Sequence, residues 1–422
     1  MASIDRNKYL FVGVDLHKKT HVAVLCNCFG DVIKKFKVTN APTHFPTFLD
    51  NVRKHADGKD VIFGLEDVNF YGRSLAKFLI QNGCLVKEVN SSYTKKKRNK
   101  GTNRNKTDEL DAKAICMNLI MEYDAHPIAN PQDIYLAIKQ TLSTRNNFVQ
   151  MAANMKTSLH NLLVHHYPNY TEFFKDFESK TSRGFFHTFP SCEMVGNITA
   201  DELTRILQKF NKSVPKNKAQ EILDAIAANG WADNGYQEER NQSIRSYIDS
   251  INHLEQEITL LEEQLDKLID ETGYPLKTIQ GVDTVLAATF IANIGDINRF
   301  KHNSQITKLA GIAPIEHSSG ESQNRYTNKL GNRELNTAFY SLALTQIRQG
   351  INPLMYEYYQ KKIKEGRKKK QAMVYVARRL VSIVFSIMKT KQPYRQPPTP
   401  QIEQEAVEAR KETLDNLRSL FV

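Results

Sequence analysis

Tyr9-Leu10-Phe11-Val12-Gly13-Val14-Asp15-Leu16 is the stretch on which the fold turns. It is followed, after His17-Lys18-Lys19, by His21–Cys26 and, after Asn27–Gly30, by Asp31–Val38. Short runs rich in Val, Ile and aromatics between turn residues read as strands, so residues 9–38 predict a three-stranded meander. Working outward, Pro46–Val52 predicts a helix and Val61–Leu65 a buried strand. Tyr71–Gln81 predicts a helix closed by Asn82-Gly83, and Cys84–Val89 a further strand.

Three antiparallel strands followed by helix-linked strands is the element order of a ribonuclease H-like α/β domain, expected over residues 1–128. Beyond Asn90 the composition changes. Lys95, Lys96, Lys97, Arg98, Lys100, Arg104 and Lys106 crowd one acid-free run, read as a cationic loop. Thr107 then has the character of an N-cap, with Asp108 and Asp111 one turn apart on the helix that follows. Residues 129–272 predict an all-α, coiled-coil region with long helices at 134–164 and 244–268 and a polar insert at 170–236.

The second long helix carries Ile244, Ile251, Ile258 and Leu265 at one heptad position and Tyr247, Leu254, Leu261 and Leu268 at the other. That stripe predicts a parallel seam between protomers, giving a dimer or tetramer; an antiparallel hairpin against residues 134–164 of the same chain is the alternative, and an assembly containing both is expected. Residues 273–392 predict a helical C-terminal domain. It opens with a helix–hairpin–helix-like turn at Ile279–Ala287, where helix amides are placed to hold a phosphate. A loop at His317-Ser318-Ser319-Gly320 follows, then Arg325, Lys329 and Arg333 at four-residue steps. Lys368, Lys369 and Lys370 end a second cationic run, and residues 393–422 read as a tail.

At 422 residues the chain exceeds what one core supports, so several domains are expected. Lys and Arg outnumber Asp and Glu, 58 to 46, and the clustering of the excess favours a polyanionic partner, nucleic acid first. No amphipathic basic helix or apolar span long enough for a membrane is read, and the N-terminus lacks a signal-peptide core, so a cytoplasmic protein is expected. Five cysteines without CxxC spacing predict reduced thiols rather than disulfides or a zinc ribbon.

Asp15 and Glu66 each end an apolar run, and with Asp108 and Asp111 they form four acids on two strand ends and a helix. Like charges repel, so carboxylates that converge need a cation between them, and Mg²⁺ is the expected ion. Two such ions would polarise a phosphate and activate an attacking oxygen. Read singly, each acid is also an ordinary cap or strand-end residue. Ser318 and Ser319 are both candidate nucleophiles, needing activation by a base such as His317 or by a metal.

Gly13-Val14-Asp15-Leu16-His17-Lys18, Leu65-Glu66 and Asn105-Lys106-Thr107-Asp108-Glu109-Leu110-Asp111-Ala112 resemble the DEDD-type insertion-sequence transposases, also called bridge-RNA-guided recombinases. In the second half, Thr278–Val282 and Leu309–Pro314 through Ser318-Ser319-Gly320 to Gly331-Asn332-Arg333 are similar to the C-terminal domain of that family. The resemblance implies a Holliday-resolvase-like N-terminal domain with Asp15, Glu66, Asp108 and Asp111 on Mg²⁺. It also implies a phosphoserine link to DNA, for which Ser319 fits best and Ser318 competes. Donor and target DNA, a non-coding guide RNA, a composite site between subunits and action at the nucleoid of a bacterial or archaeal cell come with it. Asn336 departs from the pattern, where a basic residue is frequent. The other readings are a metal-dependent junction nuclease without a covalent step and a non-catalytic nucleic-acid-binding protein.

Overall fold

The computed structural model describes residues 5–66, 71–89, 107–230, 235–319, 322–327 and 331–396, with only the backbone described for 314–319 and 322–327. The chain divides into two compact units, one formed by Met1–Gln140 with Leu265–Val422 and the other by Thr141–Gln264.

The first unit begins with β1 (Tyr9–Asp15), β2 (Thr20–Cys26), β3 (Val32–Thr39), α1 (Phe45–Lys54), β4 (Asp60–Leu65), α2 (Arg73–Gln81), β5 (Leu85–Glu88) and α3 (Asp108–Met121). The five strands form one sheet in the order β3-β2-β1-β4-β5. β1 is antiparallel to β2 and parallel to β4, and β4 is parallel to β5. The meander and the helix-linked strands expected from the sequence therefore form a mixed α/β domain.

Strand side chains alternate between faces. Leu10, Val12 and Val14 of β1 join Phe63 and Leu65 of β4 in a core closed by Phe48, Leu49 and Val52 of α1 and Leu75 and Leu79 of α2. Phe11 and Ile62 belong to the opposite face, closed by Ala112, Ile115, Cys116 and Leu119 of α3. Burying each large aliphatic contributes roughly 1.5–3 kcal/mol, which locks α3 onto the sheet.

The helices that follow are α4 (Asp133–Leu163), α5 (Lys180–Thr188), α6 (Cys192–Val195), α7 (Ala200–Phe210), α8 (Asn217–Asn229) and α9 (Gln237–Thr272). In the second unit, Arg145 pairs with Glu262 at 2.7 Å and Lys156 with Glu255 at 3.0 Å, so α4 and α9 run antiparallel there. Ile244, Ile248 and Ile251 of α9 are buried in one core with Leu159 and Leu163 of α4. The first half of the heptad stripe is thus used inside the chain, in the antiparallel arrangement. Ile248 lies off the heptad yet is as buried as its neighbours, because this face meets a broad core. Leu260, further along, is 57% exposed.

The region 170–236 is also less polar in space than in sequence. Tyr167, Phe173, Phe185 and Phe186 are fully buried, Tyr167 meeting Phe173 and Phe186 edge to face and its hydroxyl donating to the Phe189 carbonyl at 2.7 Å.

The first unit resumes with α10 (Thr284–Ile294), α11 (Asn303–Leu309), β6 (Pro314–Ser319), β7 (Ser322–Thr327), α12 (Arg333–Gln346), α13 (Pro353–Lys364) and α14 (Lys369–Thr390). The turn at Gly281, where φ is +85°, leads into α10 as expected. The phosphate site expected at that helix start is not what the residues build. Asp283 caps α10 with its own carboxylate, accepting from the Leu286 amide at 2.7 Å, so an incoming anion would meet like charge. Among the described residues one helix, α14, is long and apolar enough by length and composition to cross a membrane. Its Val376, Leu380, Val381, Val384 and Met388 are buried within the protein and three lysines stand at its start, so its apolar face serves a core.

Candidate metal centre and serine hairpin

β1 and β4 carry the same alternation, an apolar residue, then glycine, then an acid, on the face beneath α3. Phe11 lies in register with Ile62 and Gly13 with Gly64, and the series ends in Asp15 and Glu66, the latter immediately after β4. Gly13 is required by the packing. A Cβ there would lie 2.2 Å from the Ala112 carbonyl oxygen and 2.4 Å from the Cys116 amide nitrogen. Without side chains at that point the helix backbone rests directly on the strand, and the Cys116 thiol donates to the Phe11 carbonyl at 3.3 Å.

This contact sets the first turn of α3, with Asp108 and Asp111, above the end of β1. Thr107 caps the helix, its hydroxyl accepting from the Leu110 amide at 3.3 Å. Three acids in the first turn, Asp108, Glu109 and Asp111, suit the positive end of the helix dipole. Glu109 also pairs with Lys35 of β3.

Burial lifts the Asp15 carboxyl above the ordinary carboxylate range. His17 opposes that rise, and Asp111 and Asp108 add to it through their negative charge. A site in which burial and two neighbouring acids disfavour ionisation is one that a cation would relieve. His17, which the sequence reading quoted but did not single out, brings its Nε2 to 3.1 Å from Asp15 Oδ2 and 3.5 Å from Asp108 Oδ1. Donor atoms of Asp15, His17 and Asp108 all lie within 4.8 Å of one another. The residues fit a divalent ion. Asp15 is 15% exposed and Asp108 56%, so the cluster opens to solvent on its helix side. The signal for His17 was its place two residues after Asp15, hidden because a turn does not follow strand alternation.

Ser318 and Ser319 lie on β6, so the expected serine loop is the end of a β-hairpin strand, with Ser319 in register with Ser322 and Ser318 with Gln323. The root of this hairpin is tightly specified. Gly331, at φ +147°, approaches so closely that a Cβ would come 2.5 Å from the Gly311 amide nitrogen. The Asn332 amide donates to the Leu309 carbonyl at 2.7 Å and the Asn336 side chain to the Ala310 carbonyl at 2.8 Å. Arg378 of α14 donates to the Ile312 carbonyl at 2.9 Å. Asn336, the departure from the family pattern, therefore pins the hairpin root.

Arg325 lies on β7 in register with Glu316, whereas Arg333 opens α12, so their spacing does not form one helix face. Lys368, Lys369 and Lys370 form the N-cap and first residues of α14, against the usual dipole preference. Lys95, Lys96, Lys97, Arg98, Lys100, Arg104, Lys106 and Lys329 lie outside the described residues.

A family model described as a transposase, of the IS110 DEDD type, matches residues 12–168, and one described as the IS116/IS110/IS902 transposase family matches residues 274–360. The chain is 23% identical over 413 residues to an uncharacterized 44.8 kDa protein of insertion element IS116 from Streptomyces clavuligerus, covering 95% of this chain and 99% of that relative. It is 22% identical over 411 residues to an uncharacterized protein of insertion element IS900 from Mycobacterium paratuberculosis, covering 90% and 96%. A pilin gene-inverting protein of Moraxella lacunata is 28% identical over 160 residues, 36% of this chain and 49% of that protein.

Proposed function

The chain belongs to the IS110-type DEDD transposases, and from that premise we propose that it cuts and rejoins DNA through Mg²⁺ held by Asp15, Glu66, Asp108 and Asp111 and a covalent phosphoserine at Ser319, with Ser318 as the alternative nucleophile. The observation that carries the metal half is the in-register alternation of apolar residue, glycine and acid on β1 and β4 beneath the first turn of α3. It supports reading the N-terminal domain as ribonuclease H-like, as does the strand order β3-β2-β1-β4-β5.

Bound there, Mg²⁺ would neutralise phosphate charge and lower the pKa of an attacking oxygen. The chain's own residues do the rest. Asp15 and Glu66 would hold the ion from the strand side, and Asp108 and Asp111 from the helix. The serine oxygen forms a bond to phosphorus as one backbone P–O bond breaks, the serine proton leaves to solvent or a base, and the departing DNA oxygen is protonated. A hydroxyl of the strand to be joined then reverses the exchange, so no external energy source is needed.

Cationic residues divide between this chemistry and substrate holding. Lys95, Lys96, Lys97, Arg98, Lys100, Arg104 and Lys106 precede the acidic helix, and Arg325, Lys329, Arg333, Lys368, Lys369 and Lys370 follow in the C-terminal region. Contacts of this type carry affinity rather than sequence choice, which fits delegation of sequence reading to a guide RNA paired with donor and target DNA. An assembly of two or four chains would bring acids and serine together from different subunits. The pilin gene-inverting relatives support a site-specific outcome.

Strand cleavage of a labelled element end, with guide RNA and Mg²⁺ supplied, tests the metal half. Asp108→Asn is expected to lower the rate by about a thousandfold, roughly 4 kcal/mol of barrier, with unchanged circular dichroism. Full activity in that variant would remove Asp108 from the site, and loss of folding would make the acid structural.

A further inference from the structure

We propose that His17 is itself a ligand of the divalent ion, so that the acids work with one imidazole nitrogen; this rests on reading the acids as a metal site. Its Nε2 stands 3.1 Å from Asp15 Oδ2 and 3.5 Å from Asp108 Oδ1. Cis ligands of an octahedral ion with bonds of about 2.0–2.1 Å lie about 3 Å apart, so these separations are close to the edges of a coordination shell. The three donors come from a strand end, a turn and a helix N-terminus, and all lie within 4.8 Å of one another.

The placement is built into the backbone. His17 is 46% exposed, so side-chain packing does not force its ring toward the acids. Its amide donates to Nδ1 of His21 at 3.3 Å, and His21 is fully buried at the start of β2. A buried histidine thus anchors the turn that carries an exposed one, while β1 fixes Asp15 two residues earlier. Had His17 served only as an ion-pair partner, an exposed contact of this kind would contribute little, and an entering cation would displace it. As a ligand it stays, and it adds affinity for ions that accept nitrogen over Mg²⁺, which prefers oxygen and water.

Electron spin-echo spectroscopy of Mn²⁺ added to the full-length protein reads this directly, without reference to activity. The expected result is modulation from a directly bound imidazole nitrogen, lost in His17→Ala while Mn²⁺ remains bound. By calorimetry, the same variant is expected to lose about tenfold or more in Co²⁺ affinity and less than about twofold in Mg²⁺ affinity. Bound Mn²⁺ without nitrogen modulation in the wild type would overturn the role of His17 and leave the acids as a metal site. Modulation that persists in His17→Ala would assign the nitrogen elsewhere and overturn it equally. Failure of Mn²⁺ and Mg²⁺ to bind at all would overturn both readings.

Discussion

The acidic cluster and the serine hairpin are built on opposite plans. Asp15, Glu66, Asp108 and Asp111 stand on elements whose positions are dictated by two buried cores and a strand–helix contact with no intervening side chain. The serines lie on β6 of a two-stranded hairpin whose root is fixed by the close approach of Gly331 to Gly311 and by hydrogen bonds from Asn332 and Asn336. Under the proposed function, the first plan would set a metal geometry before substrate arrives, and the second would fix where the strand bearing the proposed nucleophile begins. A change in packing should therefore damage one function at each place and spare the other.

Gly13→Val gives the largest expected effect. The added carbons collide with the Ala112 carbonyl and must lift α3, at an overpacking cost of about 1–3 kcal/mol or more. Thermal unfolding should shift down by several degrees, and calorimetry should show metal binding weakened at least about tenfold. A variant that binds metal normally would mean that the helix contact does not position the acids.

Gly331→Ala should do the reverse. Its backbone lies in the left-handed range and a Cβ would press on Gly311 and the Ala310 carbonyl carbon, so the hairpin root must shift. Metal affinity should stay within about twofold of wild type while covalent DNA attachment falls by about tenfold or more. Loss of metal binding in this variant would collapse the distinction between the two plans.

A smaller effect concerns pH. Asp15 has a raised pKa, so its protonated form is favoured by folding, and the stability this gives is lost as pH rises through the folded-state value. At neutral pH the ionised Asp15 is therefore a burden on the metal-free protein. Asp15→Asn is expected to raise the metal-free melting temperature near pH 7, with the gain vanishing below the ordinary value of 3.8. Stabilisation by added Mg²⁺ should disappear in the same variant. A lower melting temperature at pH 7 would show that the His17 contact outweighs burial.

How much of this was legible in the sequence follows the same division. The strands of the first sheet could be read because apolar alternation and turn residues are local signals, and Thr107 announced α3 for the same reason. The places of Asp15 and Glu66 at the ends of such runs, and of Asp108 and Asp111 in the first turn of α3, were legible in the same way. Register was not: that Gly13 faces Gly64, and that both lie under α3, depends on pairing between strands far apart in sequence. The contact between Gly311 and Gly331 is hidden in the same way, since each alone is an ordinary turn glycine. The heptad stripe in α9 left its packing partner open because period 3.5 and period 3.6 share most positions over two turns, and the burial of Ile248 is visible only in the fold. The aromatic core around Tyr167 was diluted by the polar residues between its members.

The central claim is that metal held by the four acids and a serine on the hairpin act in one strand exchange. It is tested most directly by incubating the protein with Mg²⁺, guide RNA and end-labelled DNA, then resolving the products under denaturing conditions. The account predicts DNA covalently attached to protein, lost in Asp108→Asn and in Ser319→Ala but present in Ser318→Ala. Loss in Ser318→Ala alone would move the nucleophile by one residue. Free cleaved DNA with no attached product in the wild type would contradict the serine step and leave a hydrolytic metal nuclease.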